Sequence, residues 1–288
     1  MRNILFYIFL LFTTSILAQK KYIIEVKVGE RISDLISRLE KKRILSNNAV
    51  EHVIDQNQLH INFDFLPNKD LGTKALEGIF IPGFYEFDNL IANPQNNEYT
   101  YINNSKIIIN HLLERAKYRF AKNKVIRGIT FYELLTIASI VEKEDAFDTH
   151  ANVIASVFWN RLKNNDRFSS CVTVEYILGY HRPFLLFSDL DKAAKSPYST
   201  YHHKGIPPTP ICFVTDYTIE NTINSNETDF YFFVLDWVEA VPYMSTDYEK
   251  HKQLSKKAKK SVTDKYGSKL LRQKMNDYYY DYLSKNKD

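Results

Sequence analysis

TFYELLTIASIVEKED, residues 130–145, carries a helix start, an apolar face and an acidic end in one continuous run. Thr130 and Glu133 have the spacing of a capping box, in which each side chain satisfies a backbone N–H that the first helical turn leaves unpaired. Leu134, Leu135, Ile137, Ala138, Ile140 and Val141 then extend the helix to Glu142-Lys143-Glu144-Asp145. At about 100° per residue, Glu144 falls inside the apolar arc beside Ile137 and Ile140, and Lys143 points the opposite way. Glu142 sits at the other margin of the arc, and Asp145 also lies within it. Helical geometry therefore permits Glu144 as a half-buried acid without selecting it.

The neighbouring segments read as more helices and a few strands. Ile107, Ile108, Leu112, Leu113, Ala116 and Phe120 mark an amphipathic helix before the central run, and Val153, Ile154, Val157, Phe158 and Leu162 mark one after it, over about 149–163. Further upstream, residues 22–28 alternate as a strand and Gly29 turns the chain. Ile32, Leu35, Ile36 and Leu39 predict a helix over 32–45, with another over about 48–56. A strand followed by two short helices suggests a small α/β module of the kind that recognises wall glycans, or a simple packing arm; composition does not separate the two. LEGIFIPGFYEF, residues 76–87, reads as strand and turn and opens the main domain. The polar stretch 93–104 reads as a loop, 171–178 as the start of an apolar segment, 196–211 as a turn-rich loop, and FYFFVL, 230–235, as a buried strand. The fold class is α+β.

A chain of 288 residues accommodates one medium domain and a smaller one. With 8 Gly and 9 Pro it is neither a Gly-rich repeat nor a disordered polymer. The net charge of +4 is too mild for a nucleic-acid partner. The basic excess is local, in the lysine-rich stretch 250–274, and reads as a solvated helix. At the other end, Arg2, an uncharged apolar run over 4–18 and then Lys20 and Lys21 have the layout of an export segment, residues 1–21. Ile16 is bulky where cleavage favours a small residue, so a removed signal and a short uncleaved membrane anchor both stay open. Either one places the folded part outside the cytoplasm, in the periplasm or on the inner membrane facing it. Cys171 and Cys212 could form one disulfide in that compartment, and two cysteines without clustered histidines give no metal site.

No phosphate loop, zinc helix or Gly-x-Ser-x-Gly elbow is present, and no cofactor motif is evident. The carboxylates remain. A glutamate at a helix end backed by aliphatic side chains has its charged form disfavoured, which suits general-acid work on a glycosidic oxygen. Its alternative is an ordinary solvated helix-end glutamate.

Six ordered blocks go further: residues 76–87 (LEGIFIPGFYEF), 137–144 (IASIVEKE), 155–162 (ASVFWNRL), 173–179 (TVEYILG), 196–210 (SPYSTYHHKGIPPTP) and 228–234 (TDFYFFV), with His251 after them. In order and spacing the chain resembles the MltG-type (YceG-like) endolytic murein transglycosylases. The resemblance implies a peptidoglycan glycan strand as substrate, no cofactor and Glu144 as the catalytic acid/base, with Glu142 supporting it or lying on the surface. It implies a LysM-like glycan-binding subdomain at 22–75, a mixed helix/sheet catalytic domain at 76–255 and a basic C-terminal helix at 256–288. Asn160, Thr173, Tyr198, Thr200 and Tyr201 become candidates for holding the sugars, each with local turn or core bonding as its alternative. Peptidoglycan synthases are possible partners, as is the membrane if the N-terminal segment is retained.

The chain also departs from that pattern. Where the family reads Gln-Ser-Asp-Pro-Thr, this sequence has Ser169-Ser170-Cys171-Val172-Thr173; Pro82-Gly83-Phe84-Tyr85 replaces Pro-Asp-Thr-Tyr, and Val241-Pro242-Tyr243-Met244 replaces Gly-His-x-Phe. These changes keep a second reading open, a wall-binding scaffold of the same fold without turnover. A two-carboxylate hydrolase would need a second acid facing Glu144, which the sequence does not identify.

Overall fold

The computed structural model describes residues 21–266, except 57, 68, 92–96, 121–124, 146–148, 183–184 and 237–240. The export segment and the last part of the expected basic helix lie outside the described residues.

Strand β1 (Tyr22–Val26) leads through Gly29, at φ +67°, into helix α1 (Ile32–Lys41). The apolar stripe of α1 is buried as its spacing predicts, and the helix stops before Arg43, a residue with φ +55°. Helix α2 (Asn47–Asp55) is capped by Ser46, whose hydroxyl accepts from the Ala49 N–H at 3.2 Å. Short α3 (Gln58–Asn62) and a 3-10 segment (Lys69–Leu76) follow. Strand β2 (Gly83–Phe87) then pairs antiparallel with β1, Ile24 opposite Tyr85. The partner of β1 therefore lies within the 76–87 stretch that was expected to open the next domain, and the apolar core runs unbroken across residue 75.

Helix α4 (Glu98–Phe120) begins inside the stretch expected to be a loop. Asn97 explains the difference: its side chain accepts from the Tyr99 N–H at 3.0 Å and its carbonyl from the Thr100 N–H at 3.0 Å. Asn104 is also fully buried within this helix, donating to the carbonyls of Ile44 and Ile91 at 2.7 and 2.8 Å. A polar residue serves the interior there, so polarity misreports the element.

Helix α5 (Phe131–Glu144) starts on the expected capping box, with Glu133 N–H to Thr130 Oγ1 at 3.2 Å and Thr130 N–H to Glu133 Oε2 at 2.7 Å. Every residue from Leu134 to Glu142 is buried, which makes this the central helix of the molecule. Helix α6 (Ala151–Lys163) packs on it, followed by α7 (Cys171–Leu178), ended by left-handed Gly179, and α8 (Phe187–Ala193). After the turn-rich loop, α9 (Asp216–Ile223) packs on both α5 and α6. Gly78 lets that loop approach the 76–87 stretch: a Cβ there would lie 2.3 Å from Pro210 Cβ, and φ is +72°.

Strands β3 (Phe232–Asp236) and β4 (Val241–Ser245) form a separate antiparallel hairpin. The expected buried strand is thus half-buried and two-stranded: Phe233 packs toward the core, while Phe232 faces helix α10 (Tyr248–Tyr266), where His251 stacks on it at 5.3 Å. Burial holds the His251 imidazole below its ordinary range. The described basic helix begins at Tyr248, earlier than residue 256. Both cysteines are free thiols: Cys212 is fully buried with Sγ 3.4 Å from the Ser139 carbonyl oxygen, and Cys171 faces Glu144. Among the described residues, no helix is long and apolar enough to cross a membrane.

Candidate active site

Glu144 is the last residue of α5, where the buried core gives way to a half-buried edge. The chain is pinned as it leaves the helix. Asp145 returns its N–H to the Val141 carbonyl at 2.8 Å, and its Oδ2 accepts from the His150 N–H at 2.8 Å, just before α6. Ser170 Oγ donates to Glu144 Oε1 at 2.5 Å, and Cys171 Sγ lies 3.9 Å from the same oxygen. Burial raises the Glu144 pKa above its ordinary value; the Ser170 hydrogen bond opposes this, the Glu175 charge adds to it, and the Arg161 charge opposes it. A carboxyl raised in this way holds a proton into a more neutral range, as a general acid needs.

Thr173 and Thr200 are buried and their hydroxyls are committed to the loop that carries Ser170. Thr173 Oγ1 donates to the Ser170 carbonyl at 2.8 Å and lies 2.9 Å from Thr200 Oγ1, which accepts from the Ser170 N–H at 3.0 Å. Tyr201 is half-buried close by. Burial, with the charges of Cys171 and Glu144, pushes its phenol up to about 12, so it stays a neutral hydroxyl.

Asn160 and Tyr198 are engaged elsewhere. Asn160, on α6, donates from Nδ2 to the carbonyls of Thr228 and Phe230, both at 2.8 Å, and so braces the approach to β3. Tyr198 is buried, with its hydroxyl 2.9 Å from Thr209 Oγ1 and its ring 5.0 Å from that of Tyr176. The structure therefore gathers Thr173, Thr200 and Tyr201 around Glu144 and leaves the other two as packing braces.

Glu142 is neither on the surface nor beside Glu144's partners. It is buried, and its Oε2 accepts from the Thr215 N–H at 3.0 Å and hydroxyl at 2.9 Å, tying α5 to the start of α9. Three further residues escaped the sequence reading. Ser170 sits at an N-cap, a signal that points to helix capping, yet its side chain makes no cap bond. Arg161 donates to the carbonyls of Tyr231, at 2.8 Å, and Phe168, so that α6 holds the Ser170 loop against β3; its charge also reaches Glu144. Glu77 is buried behind α7, accepting from the Ile32 N–H at 2.9 Å and the Tyr176 hydroxyl at 3.1 Å. No periodicity marks either of these last two.

A cavity of about 420 Å³ opens between the N-terminal unit and α7, lined by Gly29, Arg31, Lys143, Glu175, Tyr176 and His181 among others. Lys143 and Val172, the chain neighbours of Glu144 and Cys171, line this cavity, whereas Glu144, Ser170 and Cys171 themselves do not. Among the described residues, no group of three or more His, Cys, Asp or Glu is placed to hold a metal ion.

A raised carboxyl held by a hydroxyl at the half-buried end of a core helix is an arrangement that suits a general acid. Known proteins narrow the class. The YceG-like family profile matches residues 9–257, and the chain belongs to that family. It is 30% identical over 224 residues to the endolytic murein transglycosylase of Bacillus subtilis (strain 168), covering 76% of this chain and 59% of that protein. It is also 30% identical over 200 residues to the endolytic murein transglycosylase of Streptococcus pneumoniae serotype 2, covering 65% of this chain and 33% of that one. The chain thus spans about three fifths and one third of those relatives' lengths. Its fold matches the crystal structure of a yceG-like protein from Listeria monocytogenes, with a TM-score of 0.64 and 24% identity over 81% of this chain and 75% of that one.

Proposed function

We propose that this protein is an endolytic lytic transglycosylase that cleaves peptidoglycan glycan strands outside the cytoplasm, with Glu144 as its acid and then its base. The observation that carries the reading is Glu144 at the end of the buried central helix, held at Oε1 by the Ser170 hydroxyl at 2.5 Å with its pKa raised by burial, in a chain whose relatives are named for that activity. Protonated Glu144 gives its proton to the oxygen joining MurNAc C1 to the next GlcNAc, and the C1–O bond breaks. The resulting carboxylate takes the proton of the MurNAc 6-hydroxyl, whose oxygen bonds to C1. The product is a 1,6-anhydro ring, and no water is consumed. An internal nucleophile already held near C1 supplies much of what a second carboxylate would otherwise provide.

Glu175, the acid whose charge reaches Glu144, supports a one-acid route because both its oxygens are occupied. Glu175 accepts from the Arg182 N–H at 3.1 Å, and its other oxygen lies 2.9 Å from His181 Nδ1. Asp145 is buried, with Oδ2 bound to the His150 N–H and, among the described residues, no hydrogen bond to Oδ1. Tyr201 is the candidate that keeps a place near the acid for contact with sugar, whereas Thr173 and Thr200 act through the Ser170 loop. In the same reading, the unit β1–α1–α2–β2 is a LysM-like glycan-binding subdomain whose closing strand reaches Phe87, and the export segment anchors the chain or is removed. Trimming of nascent strands would bring the enzyme to peptidoglycan synthases.

A second reading, a wall-binding scaffold without turnover, rests on Cys171 standing beside Glu144 where the resembled pattern has an Asp. Digestion of purified sacculi separates the two readings. Wild type is expected to release soluble muropeptides, Glu144→Gln to release none while still binding sacculi, and Glu142→Gln to cleave when folded. Binding without cleavage by wild type would establish the scaffold.

A further inference from the structure

Ser170 occupies the N-cap of α7, where a serine ordinarily accepts from the helix's own N–H groups. Here it makes no cap bond; its hydroxyl crosses instead to Glu144 Oε1 at 2.5 Å. The backbone around it is built to aim that bond. Ser169 is a non-glycine residue at φ +48°, a conformation that persists only where its surroundings hold it. Its N–H donates to the Thr200 carbonyl at 3.0 Å, the Ser170 N–H donates to Thr200 Oγ1 at 3.0 Å, and Thr173 Oγ1 donates to the Ser170 carbonyl at 2.8 Å. Among the described residues, Glu144 Oε2 takes no hydrogen bond, while Oε1 has both the Ser170 hydroxyl and the Cys171 thiol.

On the reading of Glu144 as the acid, we propose that Ser170 is its positioning residue, fixing Oε1 so that Oε2 presents the proton to the glycosidic oxygen. Thr173 and Thr200 form the clamp that holds Ser170 in place. Ser170 does not touch the reacting bond; it sets the carboxyl's orientation and its affinity for a proton. A hydroxyl donating to a carboxylate favours the charged form, so its removal leaves Glu144 holding its proton to higher pH. The same loss frees the carboxyl to rotate away from a productive geometry.

The test is cleavage of sacculi by wild type, Ser170→Ala and Ser170→Thr, read as kcat, KM and a profile over about pH 4 to 9, with thermal melting alongside. For Ser170→Ala, kcat is expected to fall on the order of ten- to a hundredfold. KM should be little changed, and the alkaline limb should move to higher pH. Ser170→Thr, which keeps the hydroxyl, restores the limb. If Ser170→Ala does not fold, Ser170→Cys, close in size but a weaker donor, is read in the same way. An unchanged rate and limb in a folded variant overturns the proposal, as does a loss confined to KM. Glu144→Gln serves as the control: if it is inactive while Ser170→Ala behaves as wild type, only the positioning role fails. If Glu144→Gln stays active, the assignment of the acid fails.

Discussion

Replacing Glu77 by glutamine removes a titrating proton from a position where burial dominates every other influence. The carboxyl is fully enclosed, and burial pushes its pKa from 4.5 up to about 8 against the opposing pull of the Ile32 N–H, the Tyr176 hydroxyl and the Arg31 charge. Above pH 4.5 the unfolded chain gives up this proton, while the folded chain keeps it until about pH 8. The folded state then binds more protons, so stability falls as pH rises through that window and is fully present below it. The gap of about 3.5 pH units at about 1.4 kcal/mol per unit corresponds to roughly 5 kcal/mol across the window. That is a large share of the total stability of a typical domain, about 5–15 kcal/mol. Glutamine can still accept from the Ile32 N–H and can donate to the Tyr176 oxygen, so Glu77→Gln keeps the contacts and loses the titration. Urea unfolding of both proteins at several values between about pH 5 and 8 should show wild type losing stability relative to the variant by several kcal/mol. A difference that stays constant with pH would refute the account of Glu77.

Thr215→Val deletes one of the two hydrogen bonds to Glu142 and the cap of α9, and should cost about 1–3 kcal/mol in urea unfolding. Cleavage per folded molecule should stay close to wild type. Gly78→Ala forces a Cβ to 2.3 Å from Pro210 at positive φ and should lower thermal stability by more than about 2 kcal/mol; a wild-type melting curve would contradict the close approach. Leu135→Ala opens a cavity in the central helix and should cost about 2–5 kcal/mol, read by the same unfolding assay. A reporter fused after Asp288 that works only outside the cytoplasm should be active; signal from a cytoplasm-only reporter would remove the wall substrate from the account.

Local signals were legible where one segment carried them whole. The α5 capping box and the α1 stripe need only their own residues, and both are found where the spacing puts them. Polarity misled where a polar side chain serves the interior: Asn104 is buried in α4, and Asn97 starts that helix inside an apparent loop. The 76–87 strand could be read, but its pairing with β1 could not, since register across so long a separation leaves no mark in either segment. At the site, the helix placed Glu144 among three acids without choosing between them. The roles separate only through distant partners, Thr215 for Glu142 and Ser170 for Glu144. Ser170 was the hardest to find because its sequence signature is that of a helix cap, and its hydroxyl is spent on another element.

The chemistry assigned to Glu144 is tested most directly by the mass of the released muropeptides. One acid acting in turn as acid and base leaves 1,6-anhydroMurNAc ends, lighter by one water than the product of hydrolysis. Mass spectrometry of sacculi digested with wild-type protein should find the anhydro species, with no new reducing MurNAc ends, and Glu144→Gln should release neither. A predominance of the hydrated species from wild type would contradict the one-acid route and require a second carboxylate to activate water.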